Sequence, residues 1–283
     1  PSVYSGPETH FFISTRSLFQ HFERAQSWKV GLNAYMTRDE FHGMIREMFK
    51  FTISRLPKPE TKPVIFLEKT PTHAGYSSQI LRIFPNAQFI HLIRDPRAVI
   101  ASLRRISKTW AKRWAPEKVT SGAQIWISNV SMACEIPKFV KSPLTQYMEL
   151  KYEDLRKDPE SHLENLWSWM GIDANDELLK KTVQANSMSR ANSSSEIFSS
   201  IQSAPANDVA TKDEVVIPTD FIGKAAVKLS DYNLSELEIA RIDQLAGELM
   251  VRLGYERAFE KLSIRRRLMV STTFRKIIGL EEI

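Results

Sequence analysis

The segment LIRDPRAVIASLRR, residues 92–105, places an arginine at the end of an apolar run and a helix start directly after it. The run QFIHLIR, which Arg94 closes, is typical of a buried strand, and Asp95 followed by Pro96 favours a helix start. Ser102 lies about two turns into that helix, roughly 9 Å along its axis. The helix N-terminus directs unpaired N–H groups and the positive end of its dipole to the same place. The guanidinium and the hydroxyl could therefore bind one phosphate group together.

The same charged residues also allow an interpretation without a ligand. Arg94, Asp95 and Arg97 could form a solvated ion pair over the helix start. Asp95 could also orient a neighbouring arginine while it caps the helix. The segment alone leaves both interpretations open.

Two other strand ends carry residues that suit an anionic, aromatic ligand. Lys69 stands in EKTPTH, after the apolar run VIFL, and Tyr152 stands in KYEDL, after the run QYMEL. Strands of one parallel sheet present their carboxyl ends at one edge, where such folds bind ligands. A lysine, an arginine and a tyrosine at this edge would suit an adenine nucleotide that carries an additional phosphate.

The predicted elements alternate in a way that indicates the fold class. Residues 64–69, 88–94 and 146–152 are short apolar runs typical of buried strands, and each precedes a helical pattern. This alternation predicts an α/β fold with a central parallel sheet flanked by helices.

Helical patterns also flank these three units. Residues 9–56 predict helices, and Thr70 is expected to cap the helix that follows the first strand. Ser235 with Glu238 predicts a capping box at the start of the last helix, which Gly254 ends.

Composition narrows the classes of partner and location. The chain has 283 residues, a net charge of +6 and one cysteine, and its pI is about 9.3. The charge favours an anionic partner. A single cysteine excludes an intrachain disulfide and favours a reducing, cytoplasmic location. We find no Cys/His ligand cluster, predict no metal site, and expect Cys134 to be an inert helix residue.

Several segments, in the same order, resemble sulfotransferases that use 3′-phosphoadenosine 5′-phosphosulfate (PAPS). PNAQFIHLIRDPRAVIASLRR is similar to the segment that binds the 3′-phosphate. FLEKTPTH, YEDLRKDPE and LSELEIARIDQLAGELMVRLGY match further segments, and SGPETHFF resembles the tyrosylprotein and bacterial branch. The likeness covers roughly residues 5–255 and implies a P-loop NTPase-like sulfotransferase fold.

The resemblance assigns a nucleotide-binding set. By this likeness Arg94 and Ser102 bind the 3′-phosphate, and Tyr152 contacts the adenine side. Lys224, the lysine of IGK, matches a basic residue of the family's lid, with Lys228 as the alternative. The Ser-, Asn- and Ala-rich stretch 185–222 predicts a long loop that could form this lid.

The resemblance also assigns a catalytic pair. Glu8 matches the glutamate that acts as base, and Lys69 matches the lysine at the transfer site. His10 and His73 lie near the proposed site and are alternatives to Glu8 as base.

Two family features are not matched. The loop resembling Pro-x-Ser-Gly-Thr-Thr, which binds the 5′-phosphosulfate after the first strand, does not occur in this sequence. We expect that strand and loop immediately upstream of Pro1, and loss of sulfuryl transfer is the alternative. Some members also carry a further arginine where this chain has Ile106, and Arg104 or Arg105 could replace it.

These observations predict a sulfotransferase domain over residues 1–256 and a basic amphipathic tail over 257–283. The tail could be an interfacial membrane helix or a packed C-terminal helix. The expected reaction transfers a sulfuryl group from PAPS to a hydroxyl or amine of a carbohydrate, lipid, peptide or small metabolite, without a metal or a nucleic-acid partner. A nucleotide kinase-like P-loop enzyme and a non-catalytic nucleotide- or polyanion-binding module are the alternatives.

Overall fold

The computed structural model describes residues 2–25, 30–56, 64–109, 111–173, 175–185 and 232–258. Contacts divide the chain into two compact units. Of the described residues, unit 1 contains those within Pro1–Leu92, Asn129–Leu150 and Glu164–Ala174, and unit 2 contains those within Ile93–Ser128, Lys151–Leu163 and Asn175–Ile283. Lys224, Lys228, the predicted lid beyond residue 185 and the predicted tail beyond residue 258 lie outside the described residues.

Strands and helices alternate along the described chain. The strands are β1 (Ser2–Ser5), β2 (Val64–Leu67), β3 (Phe89–Ile93) and β4 (Tyr147–Lys151). The helices are α1 (Phe11–Ser14), α2 (Arg16–Ala25), α3 (Arg38–Thr52), α4 (Ser77–Ile83), α5 (Pro96–Ser107), α6 (Val119–Cys134), α7 (Pro143–Gln146), α8 (Tyr152–Lys157), α9 (Pro159–Trp169), α10 (Asp176–Ala185) and α11 (Glu236–Arg252). Single 3₁₀ segments lie at Gly31–Ala34, Pro71–Tyr76 and Ile136–Lys138.

The α/β class predicted from the sequence is confirmed, although the strands pair differently from the prediction. The described strands form two two-stranded sheets, β1 with β2 and β3 with β4, in place of one continuous sheet. β1 pairs with β2 in parallel, and Ser2 lies opposite Val64. β1 is only four residues long and was not recognised in the sequence, so the partner of β2 could not be predicted.

Helix caps mostly follow the sequence prediction. The Asp95 side chain accepts a hydrogen bond from the Arg97 N–H at 2.8 Å and so caps α5. Ser235 and Glu238 form the predicted capping box of α11. Thr70 occupies the predicted N-cap position, before Pro71, but its hydroxyl donates to the preceding Glu68 at 2.7 Å and makes no side-chain capping bond.

Unit 1 has a core rich in phenylalanine. The ring of Phe22 stacks on that of Phe41 at 4.0 Å between centroids. The predicted stripe of Tyr76, Ile80 and Phe84 packs against this cluster. Its buried members are Phe11, Phe12, Phe19, Phe22, Phe41, Ile45, Phe49, Ile53 and Ile83.

Unit 2 is built around the pairing of α5 with α11. Ile100 of α5 and Ile242 of α11 share one apolar cluster with Val119 and Ala123 of α6. Gly254, at φ 78°, ends α11 in a backbone conformation that glycine adopts without strain. Among the described residues, we find no helix that combines the length and the apolarity required to cross a membrane.

Candidate functional site

The pairing of β1 with β2 in unit 1 brings Glu8 and Lys69 together. Ser5 lies opposite Leu67 in this parallel ladder, so the segments that leave both strands start side by side. Glu8 Oε1 accepts a hydrogen bond from Lys69 Nζ at 2.5 Å. The Lys69 side chain is 73% exposed and that of Glu8 is 32% exposed. The pair is therefore accessible from solvent.

Glu68 fastens these two segments to each other. Its Oε1 accepts hydrogen bonds from Thr9 N at 3.1 Å, Thr9 Oγ1 at 2.8 Å and Thr70 Oγ1 at 2.7 Å. Its Oε2 lies 2.9 Å from His73 Nδ1. Burial alone would raise the pKa of Glu68, but the hydrogen bonds from these side chains lower it to about 2. The carboxylate is therefore ionised at neutral pH. Its hydrogen bonds hold Thr9 and Thr70, which directly follow Glu8 and Lys69 in the chain.

The two histidines near this pair have different environments. His73 is buried, and its Nε2 accepts the backbone N–H of Phe12 at 3.3 Å while Nδ1 faces Glu68. This arrangement places the ring proton on Nδ1 and engages both nitrogens, which is typical of a structural histidine. His10 is more exposed, and its Nε2 lies 3.5 Å from Glu8 Oε2. Of the two alternatives to Glu8, only His10 has a ring nitrogen facing that carboxylate.

In unit 2, Arg94 lies over the ring of Tyr152. Arg94 directly follows β3, and Tyr152 is the first residue of α8. The guanidinium carbon is 4.4 Å from the ring centroid, which is a cation–π contact. The Arg94 carbonyl accepts a hydrogen bond from Trp126 Nε1 at 3.0 Å and holds the backbone in place. A cation–π contact does not require the guanidinium N–H groups as hydrogen-bond donors, so these groups can still donate to an anion.

Asp95 orients Arg97, as the sequence had allowed, and the pair is buried. Arg97 Nε and Nη2 donate to Asp95 at 2.9 Å and 2.7 Å, and Nη1 lies 3.5 Å from Asp243. Burial alone would lower the pKa of Arg97, but the hydrogen bond and charge of Asp95 and the charge of Asp243 raise it. The solvated ion pair considered from the sequence is therefore wrong, because Asp95 and Arg97 are only 8% and 4% exposed.

Ser102 is half-buried within α5, in the same unit as Arg94. In the described part of the chain, the stacking and hydrogen-bonding contacts of Arg94 are with Tyr152 and Trp126. A phosphate shared by Arg94 and Ser102 therefore stays a prediction. Arg104, considered as a further phosphate ligand, instead pairs with Glu238 at 2.5 Å.

Comparisons with known proteins identify the family. The family model described as "Sulfotransferase family" matches residues 1–176, more than half of the chain. This chain belongs to the sulfotransferase family.

Two curated proteins and one solved structure that are similar to this chain carry the word sulfotransferase in their names. Omega-hydroxy-beta-dihydromenaquinone-9 sulfotransferase Stf3 of Mycobacterium tuberculosis (strain CDC 1551 / Oshkosh) is 30% identical over 132 residues, which are 45% of this chain and 33% of that protein. The protein of the same name from Mycobacterium bovis (strain ATCC BAA-935 / AF2122/97) gives the same values. The match thus spans about a third of the length of these relatives. The solved structure "Sulfotransferase Domain from the Curacin Biosynthetic Pathway" covers 87% of this chain and 77% of that chain, with 15% identity and a TM-score of 0.47.

Two glutamates of this chain that support the candidate residues were missed in the sequence. Glu68 precedes Lys69 and holds the unit 1 segments as described above. Glu153 follows Tyr152, and its carboxylate accepts the Asp95 N–H at 3.0 Å and the Tyr255 hydroxyl at 2.9 Å. Burial and this hydrogen bond raise the pKa of Tyr255. The signal that could have found both glutamates is their position directly beside a candidate residue.

Proposed function

We propose that this protein transfers a sulfuryl group from PAPS to a hydroxyl or amine acceptor by in-line displacement, leaving adenosine 3′,5′-bisphosphate. The observation that carries the proposal is the contact between Glu8 and Lys69. It joins a carboxylate that can accept a proton to an ammonium group that can stabilise negative charge. Transfer of this kind requires little more of the protein than these two actions and the alignment of the reactants.

In the proposed reaction, Glu8 accepts the proton of the acceptor hydroxyl while the acceptor oxygen forms its bond to sulfur. The bond between sulfur and the bridging oxygen of the donor breaks at the same time. Lys69 stabilises the negative charge that grows on this leaving oxygen. A positioned base of this type contributes about 10²- to 10⁴-fold to the rate.

The Glu8–Lys69 contact must open for both residues to act. An exposed ion pair stabilises a folded protein by only about 0.2–1 kcal/mol, so a bound donor can readily replace Glu8 as the partner of Lys69. The exposed Lys69 side chain is free to turn, whereas the segments on both sides of Glu68 are held by hydrogen bonds. Binding of the donor would thus release the Glu8 carboxylate for proton transfer.

For the nucleotide, we propose that Arg94 and Ser102 bind the 3′-phosphate and that Tyr152 lies on the adenine side. The chemistry of the donor set supports this assignment, because the edge of a stacked guanidinium suits the oxygens of a phosphate. Lys224 is proposed as the basic residue of the lid on the resemblance alone. None of these roles needs a metal ion.

A transfer assay tests the proposal directly. We expect the full-length protein to move labelled sulfate from PAPS to at least one member of an acceptor panel of carbohydrates, peptides, small metabolites and lipid alcohols. The panel should include a hydroxylated isoprenoid quinone, since the curated relatives are named as sulfotransferases of an omega-hydroxy-beta-dihydromenaquinone. Failure of every acceptor, with adenosine 3′,5′-bisphosphate still bound, would favour a nucleotide-binding module instead.

Glu8→Gln separates the catalytic role from folding and binding. We expect turnover to fall about 10²- to 10⁴-fold while calorimetry shows unchanged affinity for adenosine 3′,5′-bisphosphate. Glu47→Gln is the matched control, because Glu47 also pairs with an exposed lysine, Lys50, at 2.7 Å. Unchanged turnover in Glu8→Gln would remove Glu8 from the role of base and direct attention to His10.

A further inference from the structure

Three different metal-binding side chains lie close together in unit 1, apart from the residues assigned to sulfuryl transfer. His91 is on β3, Cys134 is the last residue of α6, and Glu149 is on β4. One ligand atom from each lies within 4.8 Å of the ligand atoms of the other two. We propose that His91, Cys134 and Glu149 bind a divalent cation of the zinc class.

The chemistry of the three donors selects the class of metal. Imidazole nitrogen, thiolate sulfur and carboxylate oxygen are the protein ligands that Zn²⁺ uses, whereas Mg²⁺ and Ca²⁺ prefer oxygen alone. Three protein ligands with water in a fourth position is a common arrangement for Zn²⁺. The Glu149 side chain is 50% exposed, so solvent can reach the site and supply that water.

The spacing of the donors fits a tetrahedral ion after small side-chain rotations. Ligand atoms bonded to Zn²⁺ at 2.0–2.3 Å lie about 3.4–3.6 Å apart. The separation found for these groups, up to 4.8 Å, is about 1 Å larger than this. Cys134 is half-buried and can turn toward the buried imidazole of His91, while the exposed Glu149 carboxylate can offer Oε2 to the ion and keep Oε1 on Tyr147.

Tyr147 provides an independent reason to regard the group as organised. Its hydroxyl lies 2.8 Å from His91 Nδ1 and donates to Glu149 Oε1 at 3.0 Å. One phenol thus engages Nδ1 of His91 and Oε1 of Glu149, so the ion would bind through Nε2 of His91 and Oε2 of Glu149. Hydrogen bonds of this kind orient the ligands of metal sites. Tyr147 acts as a positioning residue.

The proposal differs from what the sequence predicted. The sequence indicated no ligand cluster and an inert Cys134, because the three residues are far apart along the chain. Folding brings the end of α6 to β3 and β4, and only then do the ligands meet. A bound ion would join these elements to one another.

Cobalt provides a selective probe, because the chain has one cysteine. We expect the full-length protein, stripped of metal by a chelator, to develop a thiolate-to-cobalt charge-transfer band and tetrahedral ligand-field bands on addition of Co²⁺. Zn²⁺ should then abolish these bands by displacement. Zn²⁺ should also slow alkylation of Cys134 and raise the thermal midpoint of unfolding, since it binds the folded state preferentially.

Variants assign the ligands. Cys134→Ala should lose the charge-transfer band and at least tenfold in Zn²⁺ affinity, and Glu149→Gln should weaken Zn²⁺ binding. Tyr147→Phe should weaken binding less, with the cobalt band retained. Glu135→Gln is the matched control, because Glu135 is exposed, is adjacent to Cys134 and pairs with Lys138 instead. Its affinity should equal that of the unmodified protein.

Two results would overturn the proposal. One is a cobalt spectrum without a thiolate band, which would place the ion elsewhere. The other is equal Zn²⁺ affinity in the unmodified protein and in Cys134→Ala, which would show adventitious binding only. If a variant fails to fold, the rate of Cys134 alkylation in the unmodified protein decides between the same outcomes. A rate that Zn²⁺ does not change would overturn the proposal.

Discussion

Arg94 makes different contacts from its charged neighbours Asp95 and Arg97. Asp95 and Arg97 neutralise each other inside unit 2, and Glu153 holds the Asp95 backbone from the other side. Arg94 instead rests on Tyr152, a contact that neutralises none of its charge. A guanidinium that keeps its full charge beside an aromatic ring is well suited to a nucleotide phosphate.

We expect Arg94→Ala to weaken adenosine 3′,5′-bisphosphate about 10- to 150-fold, since a hydrogen bond to a charged group contributes about 1.5–3 kcal/mol. Titration calorimetry measures the change. Arg156→Ala is the control, because Arg156 is an exposed arginine of α8 in the same unit. Equal affinities in the two variants would contradict the assignment of Arg94.

Local sequence was enough to predict the strand ends beside Arg94 and Tyr152 and the cap at Asp95, whereas the nucleotide-binding roles of Arg94 and Tyr152 stay predictions. It was not enough to find the role of Glu153, since the Tyr255 hydroxyl that it accepts lies 102 positions away. The partner of Arg97 was ambiguous for a related reason. Only folding shows whether an arginine beside an aspartate is buried or solvated.

Among the elements, the ends of β1 and β2 are the most constrained part of unit 1. Glu68 joins them through an ionised carboxylate whose pKa is depressed from 4.5 to about 2. The stabilisation is complete above the unfolded pKa and is lost as the pH falls from about 4.5 toward 2. Because the Glu68 side chain is only 17% exposed, this ionisation stabilises the folded state by about 3 kcal/mol.

Glu68→Gln should therefore lower the free energy of unfolding most near pH 7, by about 3 kcal/mol, and progressively less as the pH falls through this window. Denaturant unfolding at a series of pH values measures the difference. Glu47→Gln, in which a 69% exposed carboxylate is replaced, should show little change at any pH. A pH-independent difference for Glu68→Gln would mean that packing, rather than ionisation, explains its effect.

Most elements could be predicted because their signals are local. The apolar runs gave β2, β3 and β4, and Ser235 with Glu238 gave the start of α11. β1 could not be found, since four residues carry too little pattern. Thr70 was assigned to a cap because a nearby helix start was visible in the sequence, whereas its actual partner Glu68 was not recognised.

For the molecule as a whole, the positive charge favours binding of anions. The net charge of +6 attracts anions from a distance, and salt weakens this attraction. The family and the α/β class follow from ordered motifs that span much of the chain. The cytoplasmic location, the domain boundary after residue 256 and membrane contact by the tail stay predictions.

Salt should therefore lower the affinity for adenosine 3′,5′-bisphosphate, because the screening length falls from about 10 Å at 0.1 M to about 3 Å at 1 M. Calorimetry over this range should show a steady loss of affinity. Uncharged adenosine, as the control ligand, should be nearly insensitive. Equal salt dependence for both ligands would show that the phosphates are not bound through charge.

The parallel register of β1 and β2 has a consequence for how this protein can change. Ser5 lies opposite Leu67, and only short stretches of chain separate these residues from Glu8 and Lys69. Substitutions in these stretches alter the chemistry of individual side chains. Insertion or deletion of a single residue would instead shift the carboxylate and the ammonium group out of alignment, so we expect homologous genes to vary there in composition but not in length.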